Sequence, residues 1–185
     1  MKSEFKKIAI ICASERELAP FLPLIENPTV SERAMLRIHE GRLNGFEVAA
    51  VYCGVCKVNA AAAAQIMIDC YGADTVISAG ASGGMAEELQ LFDTVVAVEA
   101  CYHDVHERIL TDYHPFMKTQ FFPASSELVS AAKAAAKLLA DSGYFSGVPQ
   151  QVKRSLPTRD VRILIPALHR LRLIWNPLRS LMSAI

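Results

Sequence analysis

The feature that most constrains this chain is an uninterrupted apolar run near its amino terminus, from Ile8 to Ala13. A strand without polar alternation has both faces buried, as in sheets that are covered by helices on both sides. A second apolar run, at 75–77, follows an alanine-rich helical segment at 57–71. Strands and helices that alternate in this way, together with one hairpin, predict an α/β fold in which a mixed central sheet lies between two helical layers.

Local signals place several helix starts and turns. Ser14, with Glu17 three residues later, fits a capping box. Apolar residues between 18 and 25 recur at helical spacing, and Asn44-Gly45 is a strong hairpin signal. The remaining predicted elements are strands at 35–39, 46–53, 74–79 and 93–100 and a helix at 125–139.

The composition excludes several classes of function. The chain has 185 residues and a net charge of zero, which argues against nucleic acid as a partner. It has no run of about 18 apolar residues that would span a membrane. Its five cysteines are an odd number without a secretory signal, so we expect reduced thiols in the cytoplasm. Cys53 and Cys56 lack a second pair at zinc-site spacing, and we predict no metal and no cofactor.

The end of the chain differs in charge from the rest. Residues 151–185 contain one lysine and six arginines against the single acid Asp160, whereas the whole chain is neutral. A change this abrupt is unusual within one small domain. We therefore predict a domain at 1–150 that is followed by a divergent basic segment of the same domain at 151–185.

The glycine-rich segment Ser78–Met85 directly follows the apolar run at 75–77. Glycine lacks a Cβ, so a ligand can approach the main-chain N–H groups of such a turn closely. Ligands of open α/β sheets bind at the carboxyl ends of the strands, where this turn is placed. An ordinary strand-to-helix turn has the same pattern, so both interpretations stand at this point.

Two acidic residues, Glu15 and Glu17, follow the first strand at the same sheet edge. A carboxylate there can hold and deprotonate a water molecule, but a solvated acid that interacts with the helix dipole has the same position. His103 and His106 lie in a further polar segment. We interpret them as structural or rim residues, because His103 and the adjacent Asp104 point to opposite faces of an extended segment and so do not converge on one atom.

Five segments occur in the order and at the spacing found in the 5′-methylthioadenosine/S-adenosylhomocysteine nucleosidases, and the chain resembles that family over residues 5–150. The resemblance implies the nucleoside phosphorylase fold, an α/β/α sandwich around a mixed sheet, in a cytoplasmic homodimer. The five segments are Ile8–Glu17, Glu40–Gly45, Cys53–Ala61, Gly80–Gly84 and Tyr102–Asp104.

The resemblance also implies an activity. The family hydrolyses the N-glycosidic bond of an adenine nucleoside and releases adenine and a thioribose, a step of methionine salvage. The family's water-activating glutamate falls on Glu17. The residues assigned to the substrate in the same way are Val55 near the alkylthio group, Gly80, Ala81, Ser82 and Gly83 beside the ribose and base, and Met182 beside the ribose hydroxyls.

A purine nucleoside phosphorylase is an alternative on the same fold. Such an enzyme must hold phosphate with cationic and N–H groups. Here Glu15 and Glu17 would repel phosphate, and Ser78 stands where the phosphorylases have an arginine. Water is therefore favoured over phosphate as the nucleophile.

Beyond about residue 150 the chain departs from the family pattern. Ser183 stands where the family has a glutamate after Met182, and the family's later Ser-Asp segment, whose aspartate protonates the purine, has no counterpart up to Ile185. Two explanations stay open, a truncated or frameshifted gene product and a genuinely divergent relative. The departure also leaves a second functional hypothesis, a catalytically impaired or inactive nucleoside-binding remnant of this fold.

Overall fold

The computed structural model describes residues 6–83, 94–102 and 104–141, which belong to two compact units. The first unit includes the described residues up to Ala81, and the second begins at Ser82. The elements of the first unit are β1 (Lys7–Cys12), α1 (Glu15–Leu18), a 3-10 turn (Leu22–Leu24), β2 (Glu26–Arg33), β3 (Leu36–Leu43), β4 (Phe46–Tyr52), α2 (Lys57–Tyr71) and β5 (Thr75–Ser78).

The first unit is built on a five-stranded sheet with the order β2-β3-β4-β1-β5. The central strand β1 runs parallel to both of its neighbours, so that Ile10 lies opposite Ala50 of β4 and Ile77 of β5. The pairs β2–β3 and β3–β4 are antiparallel. The sheet is therefore mixed, as the sequence predicts.

The side chains of β1 alternate between two separate hydrophobic cores. Ile8 and Ile10 pack on one face with Leu18 of α1 and with Phe21. Ala9 and Ile11 pack on the other face, where α2 contributes Ala63 and Met67. Helices therefore cover both faces of β1, which explains its uninterrupted apolar sequence and confirms the three-layer arrangement.

The hairpin is confirmed and the helix at 18–25 is not. Asn44 and Gly45 both have positive φ angles, 49° and 89°, as a two-residue turn of type I′ requires. The predicted helix is reduced to α1 and the 3-10 turn. Pro20 and Pro23 account for this, because proline lacks the N–H that a continuing helix needs and restricts the residue before it.

Strand β2 was not predicted, and β3 is longer than predicted. Residues Glu26–Arg33 are almost all exposed and polar, so they carry no apolar alternation. They form a strand because they pair with β3 at the edge of the sheet, from Arg33 opposite Leu36 to Glu26 opposite Arg42. An edge strand of this kind is specified by its neighbour more than by its own sequence.

The second unit contains short elements: β6 (Glu99–Cys101), α3 (Glu107–Asp112), β7 (Phe121–Pro123) and α4 (Ser126–Asp141). The predicted strand at 93–100 is wrong for 94–98, which lie outside the ladder that β6 forms with β7. The ladder runs from Glu99 opposite Pro123 to Cys101 opposite Phe121, and beside it the N–H of Ala124 donates to the carbonyl of Val98 at 2.9 Å. The helix predicted at 125–139 is confirmed as α4. The boundary predicted at 150 and the basic segment lie outside the described residues.

Gly41 of β3 gives a prediction about stability. A Cβ at this position would lie 2.5 Å from both the carbonyl oxygen of Glu26 and Cγ2 of Ile25, so backbone would have to move. We expect Gly41→Ala to lower the free energy of unfolding by about 1–3 kcal/mol. Urea unfolding followed by circular dichroism measures this, and a wild-type midpoint with an unchanged slope would contradict it.

Candidate active site

Three parallel strands end at the same edge of the sheet. Because β1, β4 and β5 run in one direction, the segments that follow them, at 13–14, 53–56 and 79–81, share this carboxyl edge. Ligands of open α/β sheets bind at such an edge. The candidate site is therefore built from the loop between β1 and α1 and from the residues after β5.

The carboxylate of Glu17 is the centre of this site. Its Oε2 accepts hydrogen bonds from the backbone N–H of Ala13 at 3.0 Å and of Ser14 at 2.9 Å, and from Ser14 Oγ at 3.0 Å. Its Oε1 accepts one from the N–H of Ala81 at 2.8 Å. The loops after β1 and β5 thus meet on one carboxylate.

A capping box brings Glu17 into this position. Ser14 is the N-cap of α1, and its Oγ accepts a hydrogen bond from the N–H of Glu17 at 3.4 Å. In turn, the Glu17 carboxylate accepts a hydrogen bond from the N–H of Ser14, as the Ser-x-x-Glu spacing predicts. Local sequence therefore folds the carboxylate back over the end of β1.

Gly80 allows the carboxylate to approach the end of β5. A Cβ at Gly80 would lie 2.5 Å from Oε1 and 2.8 Å from Cδ of Glu17. A Cβ at those distances would force the carboxylate to move, so glycine at position 80 permits the contact between Glu17 and Ala81 in its present geometry. The glycine-rich turn does permit a close approach to main-chain N–H groups, but here the approaching group is a side chain of the protein.

The hydrogen bonds decide the charge of Glu17. Partial burial raises the pKa of its carboxyl, but the hydrogen bonds from Ala81, Ser14 and Ala13 outweigh this effect and hold the pKa below its usual value. Glu17 is therefore ionised at neutral pH. Glu15, in the same helical turn, is exposed.

Cys12 is a buried, uncharged side chain close to the Glu17 carboxylate. Burial, followed by the nearby charges of Glu17 and Cys53, raises the pKa of the Cys12 thiol to about 12. Cys53 donates its N–H to the carbonyl of Cys12 at 2.9 Å and its Sγ–H to the same oxygen at 3.3 Å. All five cysteines are unbridged, and we assign Cys12 and Cys53 structural roles.

Val55 lies in the segment that follows β4. Gly54, with a φ of 83°, turns the chain away from the strand, and the carbonyl of Val55 accepts a hydrogen bond from Asn59 Nδ2 at 3.2 Å. The Val55 side chain is 69% exposed. An apolar side chain at the carboxyl edge is thus available to a ligand or a partner.

The other predicted site residues belong to the second unit or lie outside the described residues. Ser82 and Gly83 belong to the second unit, where Ser82 Oγ donates to the carbonyl of Gly83 at 3.3 Å. Met182 and His103 lie outside the described residues. His106 is the N-cap of α3, where its Nδ1 accepts from the N–H of Arg108 at 3.3 Å, in agreement with a structural role.

Sequence reasoning missed the donors that surround Glu17. Ser14 was predicted only as a helix cap, and Ala13 was given no role. The capping-box spacing was the available signal for Ser14, because the same pattern that starts α1 also directs the carboxylate to the preceding N–H groups. Nothing in the identity of an alanine marks its N–H as a donor.

A concave surface lies away from this site, at the amino ends of β1 and β4. It encloses about 270 Å³, and its charged lining includes Lys7, Arg42 and Glu47. Lys7 forms an ion pair with Glu40 there at 2.6 Å. Its place at the amino ends distinguishes it from the carboxyl edge, where ligands of open sheets bind.

Two features are absent from residues 6–83, 94–102 and 104–141. Within them, no cluster of three or more histidine, cysteine, aspartate or glutamate side chains has the arrangement of a metal site. The helices in the same ranges are too short or too polar to cross a membrane.

A mixed sheet covered by helices is the arrangement that the sequence resemblance predicts. The sequence profile of the Phosphorylase superfamily matches residues 7–151, and the chain belongs to that superfamily. Within it, the 5′-methylthioadenosine/S-adenosylhomocysteine nucleosidase of Shewanella sediminis is 34% identical over 135 residues. That alignment covers 71% of this chain and 59% of the relative's length.

Solved structures show the same likeness. The nucleosidase of Colwellia psychrerythraea, solved in complex with adenine, matches with a TM-score of 0.67 at 33% identity, over 76% of this chain and 59% of its own. The Neisseria meningitidis nucleosidase in complex with methylthio-immucillin-A also has a TM-score of 0.67, at 29% identity, over 77% of this chain and 61% of its own. The resemblance to this family is confirmed, and the chain spans about three fifths of the length of these relatives.

Proposed function

We propose that this chain hydrolyses the N-glycosidic bond of 5′-methylthioadenosine or S-adenosylhomocysteine, with Glu17 as the group that activates water. The observation that carries this proposal is the ionised Glu17 carboxylate, held by hydrogen bonds from Ala13, Ser14 and Ala81 at the carboxyl edge of the sheet. The likeness to nucleosidases solved with adenine and with a nucleoside analogue supports the same substrate class.

The proposed reaction forms a bond between the water oxygen and the anomeric carbon while the bond from that carbon to adenine breaks. The transition state is oxocarbenium-like, and a fixed negative charge stabilises it. A carboxylate with a low pKa is a weak base towards free water. The attacking water becomes acidic as its bond to carbon forms, so Glu17 can then accept the proton. We assign no described residue to protonation of the leaving adenine.

The substrate contacts in this proposal come from the resemblance. Gly80, Ala81, Ser82 and Gly83 would border the ribose and base, Val55 the alkylthio group, and Met182 the ribose hydroxyls. The exposure of Val55 and the position of Gly80 at the carboxyl edge agree with these assignments. Because the N–H of Ala81 is already bonded to Glu17, we place its substrate contact at other atoms.

Water is preferred to phosphate in this proposal because of local charge. Glu15 and Glu17 both lie in the first turn of α1, and two carboxylates repel a phosphate dianion. Ser78, at the end of β5, supplies no positive charge to compensate. The relatives named above are nucleosidases, which agrees with water as the nucleophile.

Adenine release by the full chain tests the proposal. The chain is incubated with methylthioadenosine in phosphate-free buffer, and adenine and methylthioribose are separated by chromatography. Release without phosphate supports the proposal, and release that requires phosphate would identify a phosphorylase instead. Nucleoside binding in calorimetry without release would support the nucleoside-binding remnant and overturn the hydrolase.

We further propose that the chain forms a homodimer in the cytoplasm. Helix α2 supports the homodimer, because it exposes apolar side chains: Val58 is 72% exposed and Ile68 46%, near Ala61 and Ala62, with the hydrogen-bonded polar pair Gln65–Asp69 on the same side. Such a face is typical of a surface that a partner covers. The five unbridged cysteines agree with a reducing compartment.

A charge on α2 tests the homodimer. We expect Val58→Glu to raise the dimer dissociation constant at least about tenfold, because the carboxylate would have to be desolvated in the interface. Sedimentation equilibrium measures this. Val30→Glu is the matched control, since Val30 is also exposed, at 49%, but lies on β2. Equal dissociation constants for the two variants would contradict a dimer formed through α2.

A further inference from the structure

Ser14 makes three of the contacts that fix Glu17. Its N–H and its Oγ both donate to Oε2, at 2.9 Å and 3.0 Å, and its Oγ accepts from the N–H of Glu17 at 3.4 Å. The first two contacts hold the carboxylate and the third holds the main chain of the same residue. Ser14 therefore sets both the start of α1 and the orientation of the Glu17 side chain.

Three donors of the β1–α1 loop converge on one carboxylate oxygen of Glu17. Oε2 accepts hydrogen bonds from Ala13 and twice from Ser14, which is more than the about two lone-pair sites of a carboxylate oxygen. The β1–α1 loop therefore fixes the direction of Oε2. Oε1 receives the N–H of Ala81 from the end of β5.

We propose that Ser14 is a positioning residue for catalysis, which ties Oε2 of Glu17 to the β1–α1 loop and so fixes the orientation of the carboxylate that activates the water. This inference rests on the proposed function of Glu17 as the water-activating group. Ser14 itself touches neither substrate nor water in this scheme. Its hydroxyl acts through Glu17, so its loss changes the rate of the chemical step more than substrate affinity.

The contact between the Ser14 hydroxyl and Glu17 also changes the pKa of Glu17. The Ser14 hydroxyl is one of the donors that keep the pKa of Glu17 below its usual value. The described elements place Glu15 and Arg16 beside Glu17 on α1 and Cys12 near it on β1, where the Cys12 thiol stays neutral at physiological pH. Without the hydroxyl, the pKa of Glu17 rises and the acid limb of the pH–rate profile moves to higher pH.

Paired substitutions at Ser14 test this in the full chain. Ser14→Ala removes the hydroxyl, and Ser14→Thr keeps a hydroxyl that can form the same bonds. We expect Ser14→Ala to lower kcat for methylthioadenosine about tenfold, with KM within about twofold of wild type. Ser14→Thr is expected to recover most of the rate and the wild-type acid limb. Wild-type kcat and acid limb in Ser14→Ala would overturn the proposal.

A matched control separates positioning from loss of a helix cap. Ser125 starts α4, where its Oγ accepts from the N–H of Leu128 at 3.4 Å and donates to Glu127 at 3.3 Å. We expect Ser125→Ala to keep kcat within about twofold of wild type. An equal fall of kcat in Ser125→Ala and Ser14→Ala would mean a general loss of stability, and it would overturn the role of Ser14.

A titration without turnover distinguishes failure of this inference from failure of the proposed function. In protein labelled with ¹³C-glutamate, the Glu17 carboxyl resonance is identified by its absence in Glu17→Gln and titrated in wild type and in Ser14→Ala. A higher pKa in Ser14→Ala supports the contact even if the wild-type chain releases no adenine, a result that overturns the hydrolase alone. An unchanged pKa of Glu17 in Ser14→Ala would overturn the contact between Ser14 and Glu17, whether or not the wild-type chain releases adenine.

Discussion

Replacing Glu17 by glutamine is expected to lower adenine release from methylthioadenosine by about 10²–10⁴-fold. Glutamine has nearly the same shape, but it cannot accept the proton of the attacking water or supply a negative charge. Both oxygens of Glu17 accept N–H groups, so the amide nitrogen would face a donor in either orientation. The measurement is single-turnover adenine release at saturating substrate, with the melting temperature recorded alongside.

Glu15→Gln is the control that this chain offers for Glu17→Gln. Glu15 lies in the same turn of α1 and carries the same charge, but it is exposed. We expect Glu15→Gln to retain the wild-type rate within about threefold, since a solvated surface charge is screened. If Glu17→Gln also kept the wild-type rate while the wild type released adenine, Glu17 would not be the water-activating group.

Gly80→Ala is expected to lower kcat about 100-fold through a purely steric effect. The new Cβ would lie 2.5 Å from Oε1 of Glu17, so the carboxylate must retreat and lose the N–H of Ala81. A displacement of this size is enough to misalign a catalytic group. The same loss of a hydrogen bond raises the pKa of Glu17, so the acid limb of the pH–rate profile is expected to move to higher pH.

A double-mutant cycle shows whether Gly80→Ala acts through Glu17. If it does, adding Gly80→Ala to Glu17→Gln costs little further activity, because the group that it displaces has already lost its function. Independent, multiplicative effects of the two substitutions would contradict this explanation. They would indicate that Gly80 serves the substrate directly.

The part of the site that a short stretch of sequence encodes was predictable. The apolar run of β1 predicted a strand buried on both faces, and the Ser14–Glu17 spacing predicted the capping box; the structure confirms both. The hairpin at Asn44-Gly45 was predictable for the same reason, because its turn needs positive φ angles at two adjacent residues. In each case the residues that cause the structure lie within a few positions of the sequence pattern that predicts it.

The contacts between distant segments were not predictable from the sequence. Glu17 and Ala81 are brought together by the parallel pairing of β1 with β5, and no local pattern encodes that bond. Strand β2 was missed because its stability comes from β3 rather than from its own residues. The proposed role of Glu17 in activating water came from the resemblance alone, since a solvated acid fits its position in the sequence equally well.

The source of the donors around Glu17 has a consequence for how such a site changes during evolution. Three of its four hydrogen bonds described above come from main-chain N–H groups, at Ala13, Ser14 and Ala81. Every amino acid except proline carries that donor. The electrostatic environment of the carboxylate is therefore inherited with the path of the backbone, so side chains at positions 13 and 81 can drift while the acid keeps its charge.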